Sequence, residues 1–235
     1  MKTIGLIGGM SWESSAQYYA IINRAVRDRL GGSHSAQILM YSVDFGEIEK
    51  LQHVGDWSSL TVEMIEAAKR VEAGGADFVL ICTNTMHLMA GEVAAAINIP
   101  LLHVVDPAAQ AVVEAGFKRV GLLGTAFTME KAFYRDRLAA AGLEVIVPGD
   151  DDRREVHRVI YEELIAGKIE PASRAAYRAI IARLVDAGAE AIVLGCTEIM
   201  LLVDQSDSAV PLFDTTTLHA LAAVDLALEE TGVID

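Results

Sequence analysis

The chain repeats itself. Ile4-Gly5-Leu6-Ile7-Gly8 recurs as Val120-Gly121-Leu122-Leu123-Gly124, Cys82-Thr83 as Cys196-Thr197, and Ile99-Pro100-Leu101-Leu102 as Val210-Pro211-Leu212-Phe213. The separations are 116, 114 and 111 residues, and the three landmarks keep one order. Self-similarity of this kind restricts the fold to two copies of one supersecondary unit.

Within each copy, short apolar runs alternate with stretches of helical spacing. The runs at 2–6, 38–43, 78–81, 99–103, 120–123, 145–147, 191–195 and 210–213 predict strands, being brief and rich in β-branched residues. Tyr18, Tyr19, Ile22 and Val26 predict a helix as far as Leu30, closed by Gly31-Gly32. Further helices are predicted at 60–71, 85–97, 128–141, 155–166, 171–187 and 215–230, with Pro171 at the opening of one. The polar stretch Asp44–Trp57 reads as a functional loop. Alternating strands and helices predict an α/β fold: two pseudo-symmetric domains, each a mostly parallel sheet flanked by helices. The expected first domain is 1–99 plus 212–235 and the second 100–211, the final helix returning to the first half. Two halves facing each other would put an active site in an interdomain cleft.

Composition narrows the partners. A formal net charge of −14 disfavours nucleic acid and anionic membrane surfaces. No run approaches the ~18 apolar residues of a membrane span. The N-terminal Met1–Ile7 reads as a first strand rather than a signal peptide. Two cysteines and no export signal lead to the expectation of free thiols in a cytoplasmic protein.

Those two cysteines, Cys82 and Cys196, each end a predicted buried strand, where open α/β sheets bind ligands. A disulfide needs close Cα atoms and an oxidising compartment, which nothing here supports. A metal site would draft His87, His103 or His219, but no His/Cys pair has tight ligand spacing, so none is expected. Inert core cysteine explains one such residue and not why both stand at matching strand ends, each followed by Thr. Acid/base work on both faces of one carbon is the remaining reading. A helix start after each cysteine would lower its pKa from the usual ~8.5, bringing thiol and thiolate both within reach near neutrality. Backbone N–H groups at the same helix starts would hold a carboxylate. No dinucleotide fingerprint is present, since Gly5, Gly8 and Gly9 have the wrong spacing.

Ile4-Gly5-Leu6-Ile7-Gly8-Gly9-Met10-Ser11-Trp12-Glu13-Ser14, Cys82-Thr83-Asn84-Thr85-Met86-His87 and Gly195-Cys196-Thr197-Glu198-Ile199 closely resemble the aspartate/glutamate racemase family. Ser42-Val43-Asp44-Phe45 and Gln52 are similar to its bacterial branch. The resemblance covers essentially the whole chain. It implies a racemase of aspartate and/or glutamate that needs no pyridoxal phosphate or other cofactor, built from two α/β domains and commonly a homodimer. It further implies Cys82 and Cys196 as the catalytic pair, with Met10, Gln52, Thr83, Asn84, Thr85 and Thr197 lining a small amino-acid substrate. Some aspartate racemases hold the side-chain carboxylate with basic residues, for which the 44–52 stretch offers Lys50 and the 155–168 stretch Lys168. Enzymes of the same architecture that isomerise or decarboxylate small diacids are the rival reading, and a non-catalytic amino-acid sensor is another. Ser11 and Thr128 read as helix caps, His87 as a packing or solvated histidine, and Met86, Met89 and Met200 as core filler.

Overall fold

In the computed structural model residues 1–229 are described. The expected helix end at Glu230 and domain end at 235 lie outside them. The chain forms two compact units, Met1–His103 with His219 and the described residues after it, and Val104–Leu218.

The first unit runs β1 (Ile4–Gly8), α1 (Trp12–Leu30), β2 (Ile38–Ser42), α2 (Phe45–Val54), α3 (Trp57–Ala73) and β3 (Phe78–Ile81). A 3₁₀ turn at Thr85–Met89, α4 (Ala90–Ala95) and β4 (Leu101–Leu102) follow. Its sheet is wholly parallel, in the order β2-β1-β3-β4, with Ile4 opposite both Ile38 and Phe78. Strand side chains alternate between faces. Val79 and Ile81 accordingly pack with Leu60, Met64 and Val71 of α3, whereas Phe78, Leu80 and Cys82 pack with Tyr18, Ile22 and Val26 of α1.

The second unit repeats the plan with α5 (Val105–Glu114), β5 (Arg119–Gly124), α6 (Ala126–Glu130), α7 (Ala132–Ala140), β6 (Glu144–Ile146), α8 (Asp150–Glu162) and α9 (Pro171–Asp186). Then come β7 (Ala191–Gly195), α10 (Ile199–Leu202), β8 (Leu212–Asp214) and α11 (Thr215–Leu228). Its sheet order, β6-β5-β7-β8, copies the first. The two sheets exchange their last helices. α5 follows β4, yet Val105, Ala109 and Val112 pack with Val120, Leu122 and Val193 of the second sheet. α11 follows β8, yet Ala220, Ala223, Val224 and Ala227 pack with Ile4, Leu6 and Leu80 of the first.

Several elements differ from expectation. The Asp44–Trp57 stretch is helical: Asp44 caps α2 by accepting from Gly46 N at 3.0 Å, and Gly55 stops it in the left-handed region at φ 73°. The predicted helix 85–97 is a 3₁₀ turn followed by the short α4, and the helix predicted at 128–141 is broken at Lys131, which is extended at ψ 146°. Thr125, not Thr128, caps α6, accepting from Thr128 N at 3.3 Å. α5 is additional. β4 pairs with β3 and β8 with β7, so residues 100–103 go with the first unit and 212–218 with the second, opposite to the expected boundaries.

Candidate active site

In the first unit the site residues collect at the carboxyl end of the sheet. β1 ends in a tight turn that depends on Gly9, whose φ is +92°. A Cβ there would lie 2.3 Å from Val43 O. Ser15 Oγ accepts from Gly9 N at 2.8 Å and donates to Ser11 O, while Ser11 caps α1. This turn places Met10 in the cluster that holds Ile81 and Met86. Gln52, brought in by α2, is buried with its Nε2 3.4 Å from Met86 Sδ. Thr83, Asn84 and Thr85 form the turn after β3, and all three are buried. Met10 and Cys82 belong to different hydrophobic clusters of the unit.

Behind the Cys82 turn lie three buried histidines. His87 Nδ1 donates to Thr83 O at 2.8 Å, because a carbonyl can only accept. Its ring lies 4.5 Å from that of His103 and 5.9 Å from that of His219, edge to face in both cases. His219 Nε2 donates to Leu102 O at 2.9 Å, and in the neutral imidazole this leaves Nδ1 to accept from the Tyr18 hydroxyl, also at 2.9 Å. His87 is therefore a buried tether of the cysteine turn and not a solvated residue. Among the described residues, no group of three or more His, Cys, Asp or Glu side chains is arranged to hold a metal ion.

In the second unit β7 ends at Gly195, and Cys196, Thr197 and Glu198 form the turn, all three buried. Cys196 Sγ donates to Glu198 Oε2 at 3.0 Å, and Thr197 Oγ1 donates to the same oxygen at 2.8 Å. The turns of the two units match: His87 N donates to Asn84 O, and Leu201 N donates to Glu198 O. The strands before them do not quite match. Phe78 stands opposite Ile4 and Ala191 opposite Val120, so β7 carries one more residue before its cysteine than β3 does. That residue is Gly195. A Cβ on it would meet Leu122 Cδ1 at 2.9 Å, and its own carbonyl approaches Gly124. The extra residue reverses the face, and Cys196 packs with Ile192, Leu194 and the α8–α9 side of its sheet. The expected equivalence of the cysteines thus holds for the turn and fails for the strand register.

The thiols are also more deeply held than expected. Cys82 is 0% exposed and Cys196 6%. Burial pushes the Cys82 thiol well above its ordinary range. Burial pushes Cys196 up as well, and the Glu198 carboxylate adds to the effect. The backbone N–H groups of Glu198 and Thr197 act to lower Cys196, but burial outweighs them. The segments after the cysteines are a five-residue 3₁₀ turn and the four-residue α10, too short to sum to a full macrodipole. Around Cys196 stand Tyr134 of α7 and Tyr177 of α9, both buried and held neutral mainly by desolvation. Lys50 is exposed and paired with Glu47 at 2.6 Å, and Lys168 is exposed. Sequence reasoning did not single out Glu198, Tyr134 or Tyr177. Glu198 lay inside the quoted Cys-Thr-Glu string, whose geometry only the turn reveals.

A parallel four-stranded sheet in each unit, with one cysteine turn at the end of its third strand, defines the class: a duplicated α/β protein carrying a buried thiol in each copy. Residues 7–223 match the model of the Asp/Glu/hydantoin racemase family, and the chain belongs to that family. It is a racemase, and hence an isomerase. It is similar to the structure of a proposed Asp/Glu racemase from Yersinia pestis (51% identity, TM-score 0.90, 97% of this chain and 100% of that one). A similar likeness holds to an aspartate racemase homologue from Pyrococcus horikoshii OT3 (34%, TM-score 0.83, 97% and 99%). Among curated proteins it is 24% identical over 233 residues to the broad specificity amino-acid racemase RacX of Bacillus subtilis, covering 96% of this chain and 98% of RacX. No described helix is long and apolar enough to cross a membrane.

Proposed function

We propose that the protein interconverts the L and D forms of aspartate and/or glutamate by a two-base mechanism that needs no pyridoxal phosphate or metal. Cys82 and Cys196 each serve one face of the substrate α-carbon. One thiolate removes the α-proton while the other thiol supplies a proton from the opposite side, which inverts the centre. The observation that carries this reading is the duplicated turn: one buried cysteine per unit, each followed by a buried threonine, at the carboxyl end of an interior strand, where α/β proteins bind ligands. Met10, Gln52, Thr83, Asn84, Thr85 and Thr197 are proposed to line the substrate, their burial suiting a site that excludes water. The working form is proposed to be a cytoplasmic homodimer, which sedimentation analysis would check.

The test is a chiral assay over a panel of L-amino acids in D2O, after dialysis against chelator. The panel extends beyond the two acids because a relative is named for broad specificity. Solvent deuterium should enter the product enantiomer while recovered starting material stays largely protiated early on. Cys82→Ser and Cys196→Ser should each lose more than ~10²-fold in racemisation, the scale of a general acid–base group. Near wild-type inversion by either variant would end the two-thiol mechanism, and activity restored only by added pyridoxal phosphate or metal would end its cofactor independence.

A further inference from the structure

Two thiols raised by burial pose a problem for the reading above, on which this inference rests: one of them must give up a proton before it can act as a base. We propose that Glu198 is the acceptor of that proton, so that Cys196 and Glu198 work as a single thiol–carboxylate unit, whereas the matching turn of the first unit carries Asn84 in place of Glu198. The geometry is direct. The thiol S–H points at Glu198 Oε2 from 3.0 Å, and the Thr197 hydroxyl fixes the same oxygen from 2.8 Å. Thiol and carboxyl are both buried, at 6% and 3% exposure, so the proton moves between two protein atoms. In the transfer the S–H bond breaks, an O–H bond forms on Oε2, and the electron pair stays on sulfur as a thiolate. A carboxylate left charged would instead repel that thiolate, so neutralising Glu198 removes the repulsion as the nucleophilic pair appears.

The first unit differs at this position. The matching turn places Asn84 where Glu198 stands, and an amide cannot take a proton. In the Cys82 turn His87 donates its Nδ1–H to Thr83 O. Cys196 therefore enters catalysis through its own base, whereas Cys82 enters as a thiol. The other titratable groups that interact electrostatically with Cys196 are Tyr134 on α7 and Tyr177 on α9, while His157 on α8 and Asp214 at the end of β8 belong to the same unit. The tyrosines stay neutral through burial, His157 Nδ1 accepts from Ala126 N, and Asp214 accepts from Thr216 N and Thr217 N.

The alkylation rate of Cys196 by a small neutral thiol reagent tests this, measured against pH in a Cys82→Ser background. A pair sharing one proton titrates in two macroscopic steps. The rate should therefore run flat around neutrality, between those steps, and a single rise of tenfold per pH unit through neutrality would overturn the proposal. Glu198→Gln keeps the acceptor oxygen and cannot take the proton, so at pH 7 its rate should fall at least about tenfold and regain the single rise. A rate that increases in Glu198→Gln would overturn the proposal, showing that the carboxylate only repels a thiolate. If Glu198→Gln fails to fold, the profile with Glu198 in place still decides, and Glu198→Asp, with its oxygen drawn back, should shorten the plateau. With Cys82 present, kcat for racemisation by Glu198→Gln should fall about 10²-fold with KM little changed. The alkylation measurements need no substrate, so a protein that racemises nothing would defeat the functional reading while still reporting on the Cys196–Glu198 pair.

Discussion

Gly9 and Gly75 form a matched pair for separating backbone strain from steric clash. Both lie in the first unit, at φ +92° and +97°. A Cβ on Gly75 would meet nothing within 4 Å, whereas one on Gly9 would lie 2.3 Å from Val43 O and 2.7 Å from Val43 N. Gly75→Ala should then cost only the left-handed penalty, about 1–2 kcal/mol. Gly9→Ala carries the same penalty plus an overpacking cost of about 1–3 kcal/mol, since the atoms it meets are backbone and cannot swing aside. The total of roughly 2–5 kcal/mol is a large part of the stability of an ordinary domain. Urea unfolding of both variants, compared at equal m, measures the difference. Equal losses in the two would refute the claim that the β1–α1 turn is pinned against the β2–α2 connection. A smaller loss in Gly9→Ala would refute it outright.

Two further perturbations follow from the packing and the ion pairs. Val224→Ala should destabilise the protein by about 1–3 kcal/mol in chemical denaturation, because Val224 is fully buried against the first sheet; a loss below half a kilocalorie would mean that α11 is not docked there. Hydrogen bonds from Arg174 hold the Asp207 carboxyl below its ordinary range. A carboxyl lowered on folding adds stability that is complete above its unfolded pKa of about 3.9 and lost as pH falls through the folded value. The stability gap between wild type and Asp207→Asn should therefore be constant above about pH 5 and close as the solution is acidified further, and parallel curves down to the acid transition would count against it.

The sheets were legible because the strands are short, mostly apolar runs, and β1, β3, β5 and β7 stop at Gly or Cys, a signal that survives without tertiary context. Helix α2 was not, although its signals were present. Phe45, Ile48 and Leu51 recur every third residue, Asp44 offers a cap and Gly55 a stop, but the charged residues between them mask so short an apolar stripe. The break at Lys131 carries no Gly or Pro and could not be read from composition. The cysteines were legible as a pair, yet their register was not, since one added glycine in β7 leaves the motif intact while turning the side chain to the other face. The direction of the thiol pKa was misjudged for a similar reason. A helix start is visible in sequence, whereas complete burial is a property of the finished fold, and here burial is the larger effect.

The exchange of last helices bears on how this chain is made. A ribosome releases β1 to β4 first, but one face of that sheet waits for Ala220, Ala223, Val224 and Ala227, which are among the last described residues to be synthesised. Until then Leu80 and Cys82 have α1 on their side of the sheet and lack the rest of their cover. The second sheet has no such delay, because α5 precedes its strands and is already present when they form. Translation therefore completes the later unit before the earlier one, and the first cysteine of the chain is the last to be sealed from solvent. Cys82 thus waits through most of the chain for its cover, whereas Cys196 waits only for the few residues that follow it.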